Sequence, residues 1–175
     1  GFDDEFFLSE NSLAVRDGNG CLRRNSDGTV MLECTCGLVL SGKTDPANPL
    51  FTTGGSFWTN DSLPLLRLPF NQDPRISPRN RCMQHGYASI ALVPIRARQK
   101  IIGLLQFNDR RKNQFTLFGI MALEGIASHI GEALLRRQTE AALQESESKY
   151  RLLVDQSSDL IWSLNAEGVF TYISP

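Results

Sequence analysis

The chain has 175 residues, 41% hydrophobic and 21% charged, with 18 Lys plus Arg against 19 Asp plus Glu for a net charge of −1. A balance this close to neutral offers no electrostatic footprint for nucleic acid, and the composition is that of an ordinary globular domain. The longest mainly apolar stretch, Ala88 to Ile95, contains Ser89 and Pro94 and falls well short of the roughly 20 residues that span a bilayer.

The opening GFDDEFFLSE is acidic, has no initiator Met and lacks the charged-then-apolar order of a signal peptide. From Gly1 to Arg81 short apolar stretches alternate with turn-forming residues. Thr29 to Cys34 reads as a strand after the turn Asn25-Ser26-Asp27-Gly28, whereas Gly37 to Pro49 holds too many Gly, Pro, Asp and Asn residues for a long element. Ser56 to Thr59 is a second short strand. Asn60-Asp61-Ser62 can cap a short helix over Leu63 to Leu68, with Pro64 tolerated only in its first turn.

The middle of the chain is patterned more strongly. Tyr87 to Ile95 and Lys100 to Asn108 are two apolar runs joined by a charged turn, which predicts an antiparallel hairpin in the centre of a sheet. Pro94 belongs near a strand end or bulge, and Gly103 marks a bulge or a close backbone approach. Behind Thr116, a fair N-cap, Leu117, Ile120, Leu123, Ala127, Ile130 and Leu134 recur at three- and four-residue spacing, the apolar face of a helix. After Leu135 the stripe thins to Leu143 and Tyr150, the mark of a solvated helix with a narrow seam for joining domains or pairing with a second copy. Leu160 to Leu164 and Val169 to Ile173 flank the turn Asn165-Ala166-Glu167-Gly168 and predict a terminal hairpin. Two strands alone are marginal in water, so this hairpin reads as the start of a further domain.

These residues add up to a resemblance. YASIALVPIRARQKIIGLLQFNDRRKNQFTLFGIMALEGIASHIGEALLRR resembles the C-terminal half of a GAF domain, with its two strands, the Asn-Asp ending and the Phe-Thr that opens a long helix. ECTCGLVLSGKTDPANPLFTTGGSFWTN resembles a GAF subgroup found beside PAS modules in bacterial sensor histidine kinases. The tail ESESKYRLLVDQSSDLIWSLNAEGVFTYISP is similar to the entry of a PAS domain. The resemblance implies an α+β fold: a GAF-like antiparallel sheet flanked by helices, a long C-terminal linker helix, then the first helix and β-hairpin of a PAS fold. It divides the chain into a GAF domain at 1–137 without its first helix and strands, a linker at 138–149 and a truncated PAS start at 150–175. It further implies a cytoplasmic segment of a bacterial two-component protein, whose parent is expected to be an ATP-dependent, phosphorelay-linked histidine kinase that can be membrane-anchored elsewhere. The segment itself is expected to be non-catalytic and to avoid nucleic acid and membrane. A homodimer is expected through the helix around 127–150, with PAS and kinase domains downstream.

Two sets of residues are candidates for function. In the loops that cover one face of a GAF sheet, Phe57 and Trp58 offer stacking surfaces, Arg79, Asn80 and Arg81 offer donors, and Tyr87 completes the set, together suited to a small ligand. Phe57 and Trp58 serve equally well as plain sheet packing. The second set is Cys34, Cys36, Cys82 and His85. An extended Cys34-Thr35-Cys36 would put both thiols on one side, and Cys82-Met83-Gln84-His85 has a spacing seen in zinc sites. Zinc, iron or haem would suit that set, as would a thiol redox switch, although the default reading holds no cofactor. With no secretory signal, the four cysteines, Cys21 included, read as reduced thiols. The cyclic-nucleotide GAF signature Asn-Lys-Phe-Asp-Glu is missing in that order, with only Asn113, Phe115 and Glu124 loosely near it, so cGMP is not expected. Gly54-Gly55 is too little for a phosphate loop. His129 lacks the flanks of a phosphoacceptor.

Overall fold

The computed structural model describes residues 11–69, 73, 75, 78–155 and 162–173. The acidic start, Ser157-Ser158-Asp159, and the first two residues of the expected terminal strand, Leu160 and Ile161, lie outside them. In chain order the elements are α1 (Cys34–Leu40), β1 (Phe57–Thr59), a 3₁₀ helix (Leu63–Arg67), α2 (Arg81–Gln84), β2 (Ser89–Ala97), β3 (Lys100–Asp109), α3 (Leu117–Asp155), β4 (Trp162–Leu164) and β5 (Phe170–Ile173). They form an α+β chain with a three-stranded antiparallel sheet in the order β1-β2-β3 and a separate two-stranded sheet, β4-β5. The chain divides into two units, 1–132 and 133–175.

The centre of the first unit is β2, buried along nearly its whole length. Its alternate side chains feed two cores, as the two-residue period of a strand requires. Ile90 and Leu92 pack with Phe57, Phe51, Leu38, Val39, Leu65 and Met83. Val93 and Ile95 pack with Ala127 of α3, with Leu123, Ile130, Leu105 and Phe107 around them. Each such side chain contributes roughly 1.5–3 kcal/mol on leaving water. β3, in contrast, is half exposed and lies at the edge of the described sheet, so only one strand of the expected hairpin is central. The register shifts between Ile95 and Arg96, beside Pro94, and Gly103 sits opposite Ile95. A Cβ there would lie 3.1 Å from Cδ1 of Ile95, so Gly103 is the close approach foreseen for it.

The N-terminal segment departs from expectation. Thr29 to Cys34 is no continuous strand; Val30 and Leu32 make single bridges to Arg24 and Ala14, and the chain then turns into α1. Behind this lies a repeat that composition conceals. Arg16-Asp17-Gly18-Asn19-Gly20 and Arg24-Asn25-Ser26-Asp27-Gly28 close two equivalent turns, with Nη1 of Arg16 on the Gly20 carbonyl and Nη1 of Arg24 on the Gly28 carbonyl, both at 2.7 Å. Three rungs eight residues apart then join in a ring, in which Val15 N–H donates to Met31 O, Met31 N–H to Arg23 O and Arg23 N–H to Val15 O, each at 2.9 Å. α1 forms in spite of Gly37 because Leu38 and Val39 are buried there. Gly37 itself passes so close to Leu32 that a Cβ would sit 2.7 Å from the Cβ of Leu32.

Three contacts seat α3 on the sheet. Thr116 caps it, accepting the Gly119 N–H at 3.1 Å, and Ile120 and Ala127 are fully buried. The Glu124 carboxylate accepts hydrogen bonds from the hydroxyls of Thr52 and, at 2.6 Å, Ser56. Glu132 takes the Arg98 N–H at 2.8 Å, at the turn of the β2–β3 hairpin where Arg98 has φ 55°. By length and composition alone this helix could cross a bilayer, contrary to the reading from uninterrupted apolar runs. Ile120 and Ala127 are laid on the sheet side with Glu124 bonded nearby, while Leu117, Phe118, Met121, Ile126 and Leu134 are exposed. From Arg136 to Leu153 the helix is exposed, with Val154 buried, and it carries the four-residue ion pairs Arg136–Glu140, Lys149–Glu145 and Arg151–Glu147. Such pairs hold a solvated helix by a few tenths of a kcal/mol each. In the second unit β4 and β5 form the expected hairpin around Gly168, with Trp162 edge-on to Phe170 at 5.5 Å.

Gly131 gives a direct test of the helix seat. A Cβ there would lie 1.9 Å from the carbonyl oxygen of Arg96, whereas nothing lies within 4 Å of a Cβ at Gly125. Gly131→Ala is expected to cost about 1–3 kcal/mol or more in urea unfolding. Gly125→Ala, on the exposed side of the same helix, is expected to add up to about 1 kcal/mol.

Candidate functional site

The site is organised by a buried arginine. Arg75 is 2% exposed and its guanidinium reaches four neighbours. It pairs with Asp73 through Nε at 2.8 Å and Nη2 at 2.6 Å, donates to Oδ1 of Asn80 at 2.9 Å and to the Leu65 carbonyl at 2.8 Å, and rests on Sδ of Met83 at 3.3 Å. Burial pushes the Asp73 carboxyl up, but the hydrogen bonds from Arg75 outweigh it and leave the pKa below the ordinary carboxylate value. An unpaired charge so deep would cost several kcal/mol. The pair therefore ties the 3₁₀ helix to α2.

Asn80, held by Arg75, has φ 59° and turns the chain into the single turn of α2. Next to it, Arg79 donates through Nη2 to Glu33 at 2.5 Å and to the Ser12 carbonyl at 2.8 Å. Cys36, on α1, and Cys82, on α2, both pack against the core around Leu38 and Ile90. Cys34 is buried and has φ 66°. The extended Cys34-Thr35-Cys36 foreseen from sequence is replaced by the first turn of α1, with the Cys36 thiol on Oε1 of Gln106 at 3.8 Å.

The chemistry of the three thiols diverges. The nearness of the Cys36 thiol, itself on Gln106, is the chief influence that lowers Cys34, with the backbone N–H groups of Arg79, Cys36 and Thr35 acting in the same direction. Against the opposing effect of burial, these influences bring Cys34 down to about 5. Cys36, half-buried, is pushed far up by its neighbour Cys34 and by burial. Cys82 is pushed up to about 11 by burial and by the charge of Cys34. All four cysteines are free, and Cys21 is exposed in the N-terminal meander.

Cys34 also lines a cleft of about 640 Å³ between the second turn of the meander and α1. Its walls include Val30, Leu32 and Leu38, and its rim carries Asp27 and Lys43. Size and lining suit a small-molecule pocket. A second, shallower cleft of about 380 Å³ is lined by Glu33, Leu66, Leu68, Arg79 and Asn80 among others.

The residues predicted from sequence are thus divided. Arg79 and Asn80 reach the second cleft. Phe57 is wholly buried and packs edge-on to Phe51 at 5.7 Å, so its role is the core. Trp58 is half-buried on β1 and Arg81 is exposed on α2. Tyr87 is buried, with the Arg110 guanidinium 5.6 Å from its ring centre. Cys36 and Cys82 pack against the same core and Cys34 opens the helix that carries Cys36, whereas His85 is exposed. Among the described residues no group of three or more His, Cys, Asp or Glu is arranged to hold a metal ion. Asn113 and Phe115 are structural: Asn60 clamps Phe115 through both amide atoms, at 2.7 and 2.9 Å, and accepts the Asn113 N–H. Sequence reasoning missed Arg75, Glu124 and the Asp27–Lys43 rim. Of these only the rim had a signal, in the repeated Arg-Asp-Gly and Arg-Asn-Ser-Asp-Gly turns.

An α+β domain with an antiparallel sheet, loop-built clefts on one face and a long helix on the other defines a class of small sensory modules. A family model of the GAF domain matches residues 9–134, and the chain belongs to that family. One solved structure, the domain of a putative two-component sensor histidine kinase from Sinorhizobium meliloti 1021, is similar at 18% identity and a TM-score of 0.41, covering 70% of this chain and 81% of that one. No curated protein matches.

The thiol assignments predict a titration. Ultraviolet thiolate absorbance should be present at pH 7 and disappear as the pH falls through about 5. Cys34→Ser should abolish this step, and Cys36→Ala, by removing the neighbour that lowers it most, should move it upward. A step unchanged in Cys34→Ser would show that another group titrates.

Proposed function

We propose that this chain is the sensory and regulatory GAF–PAS segment of a bacterial signal-transduction protein, a two-component sensor histidine kinase. In this reading it binds a small ligand and relays the change through its long helix. The observation that carries the proposal is α3. Within residues 117–132 it is fastened to the sheet by Ile120, Ala127, Glu124 and Glu132, and it then continues without a break to Asp155, exposed and charged from Arg136 to Leu153. A helix needing only its own fold would end with its apolar stripe. This one extends some five turns further, which favours a mechanical link to another domain.

The resemblance of the tail to a PAS entry supplies the next module, and the β4–β5 hairpin is compatible with the first strands of its sheet. The exposed Leu143 and Tyr150, seven residues apart, support pairing of two copies along this helix. The segment performs no chemistry in the relay; the ATP-dependent phosphotransfer belongs to the kinase domains of the parent, in the cytoplasm. The cleft beside α1 is the preferred ligand site over the one first expected around Phe57 and Trp58, because Phe57 is spent in the core. A ligand there shifts the balance between two helix arrangements by no more than its differential affinity for them.

The test is a thermal-shift screen of the chain against purines, amino acids, carboxylic acids and tetrapyrroles. At least one class is expected to raise the melting temperature, and Met31→Trp, which fills the cleft lined by Met31, should remove that rise. Stabilisation by none of these classes, with an unchanged self-association constant throughout, would point to a ligand-free dimerisation module.

A further inference from the structure

We infer that the cleft beside α1 takes a free aliphatic amino acid, with the ligand's ammonium at the Asp27 carboxylate, its carboxylate at the Lys43 ammonium and its side chain between the meander and α1. The inference rests on the reading above that this cleft is the ligand site, and it names the class of ligand. Among the described residues that line the cleft, Asp27 is the one acid and Lys43 the one base. Asp27 stands in the second turn of the meander, and Lys43 lies just beyond the end of α1.

The acidic pole is arranged to accept. Oδ1 of Asp27 takes the Thr29 N–H at 2.9 Å and the Thr29 hydroxyl at 2.5 Å, which fixes the carboxylate and leaves Oδ2 without a hydrogen bond among the described residues. The Thr29 bonds, and after them the charge of Lys43, hold the Asp27 carboxyl below its ordinary value. Asn25 gives its amide N–H to Oγ1 of Thr29 at 2.9 Å, so its own Oδ1 is left to accept. An ammonium brings three donors and no acceptor, which suits these two oxygens. The basic pole is a single cation. Ser41 spends its hydroxyl proton on the Leu38 carbonyl at 3.0 Å, and Lys43 makes no hydrogen bond or ion pair with a described residue.

The cleft wall is aliphatic, with Val30 and Leu32 from the meander and Leu38 and Leu40 from α1. No aromatic side chain is among the described lining residues, so the walls offer no stacking surface for a purine or a tetrapyrrole. A ligand with one charge would cover the other pole with apolar surface, and a charge covered without a partner is unfavourable. A zwitterion meets both poles and leaves an aliphatic side chain for the wall. That side chain would rest on Leu38, which the core holds against Ile90 and Leu92. A rim of ordinary solvated charges accounts for Asp27 and Lys43 taken singly. It requires that neither charge discriminates among ligands that fill the cleft, and this is where the two readings part.

The experiment titrates the chain by calorimetry with L-leucine, with isocaproate, which lacks the ammonium, and with isoamylamine, which lacks the carboxylate. L-leucine is expected to bind at least about ten-fold more tightly than either analogue, the size of effect that a hydrogen bond to a charged group gives. Asp27→Asn keeps an oxygen for the Thr29 bonds and removes the charge. It should abolish the preference over isocaproate and keep the preference over isoamylamine; Lys43→Gln should do the reverse. Both side chains are exposed, so both unliganded variants should melt with the wild-type chain. An analogue bound as tightly as L-leucine overturns the inference, and so do preferences that neither variant alters. Silence of L-leucine overturns it too, and the two readings then separate. If another class stabilises the chain and loses its effect in Met31→Trp, the amino-acid assignment falls and the cleft stands. If no class does, both fall.

Discussion

Everything in the first unit depends on β2 being buried on both faces. A strand that gives Ile90 and Leu92 to one core and Val93 and Ile95 to another must be covered on both sides. One cover is α3. The other is assembled from α1, the 3₁₀ helix and α2, none of them long enough to be stable alone. That second cover is where the clefts and the thiols lie, so the functional surface is made of elements that exist because β2 must be kept dry.

Short elements need polar fastening, and Arg75 supplies it. Burying a guanidinium is unfavourable unless each of its donors is met. Asp73, Asn80 and the Leu65 carbonyl meet them, which leaves the loop around 73–83 little freedom to move without exposing a charge to an apolar interior. On the opposite face Glu124 performs an analogous task, holding Thr52 and Ser56. Gly54 is small enough to pass beside it, where a Cβ would meet its carboxylate at 2.3 Å.

Where a pattern is periodic and local, the chain declares its fold. The β2–β3 hairpin, the bulge near Pro94, the close approach of Gly103, the Thr116 cap and the middle of the α3 stripe, Ile120 to Ile130, were legible, because each follows from a period or from one residue's stereochemistry; Leu117 and Leu134, at the ends of that stripe, are exposed. The GAF family was legible from the same stretch. The first 80 residues were not, for three physical reasons. α1 is a seven-residue helix stabilised by tertiary burial rather than propensity, so its glycine and β-branched residues misled. The meander is held by backbone rungs between single residues eight apart and by arginine side chains on turn carbonyls, which leave no apolar alternation to read. Arg75, Asp73 and Glu124 are ordinary surface residue types whose burial depends on partners distant in sequence. For the thiols, spacing suggested metal ligands, and the fold instead puts Cys34 and Cys36 in the first turn of α1 and packs Cys36 and Cys82 as small groups against the core.

The same architecture says how a change at the cleft can reach the helix. Leu38 lines the cleft and packs in the core with Ile90 and Leu92; one residue further along β2, Val93 packs on Ala127 of α3. A second route runs from Phe51, in the cleft-side core, to its neighbour Thr52 and thence to Glu124. Both routes are packed and hydrogen-bonded throughout, and close-packed interiors transmit displacement rather than absorb it. The helix can yield least at Gly131, where its backbone meets the Arg96 carbonyl with no room for a methyl group. In the proposed relay, a displacement arriving at Ala127 or Glu124 would therefore be relieved by rotation about that close contact rather than by separation from the sheet.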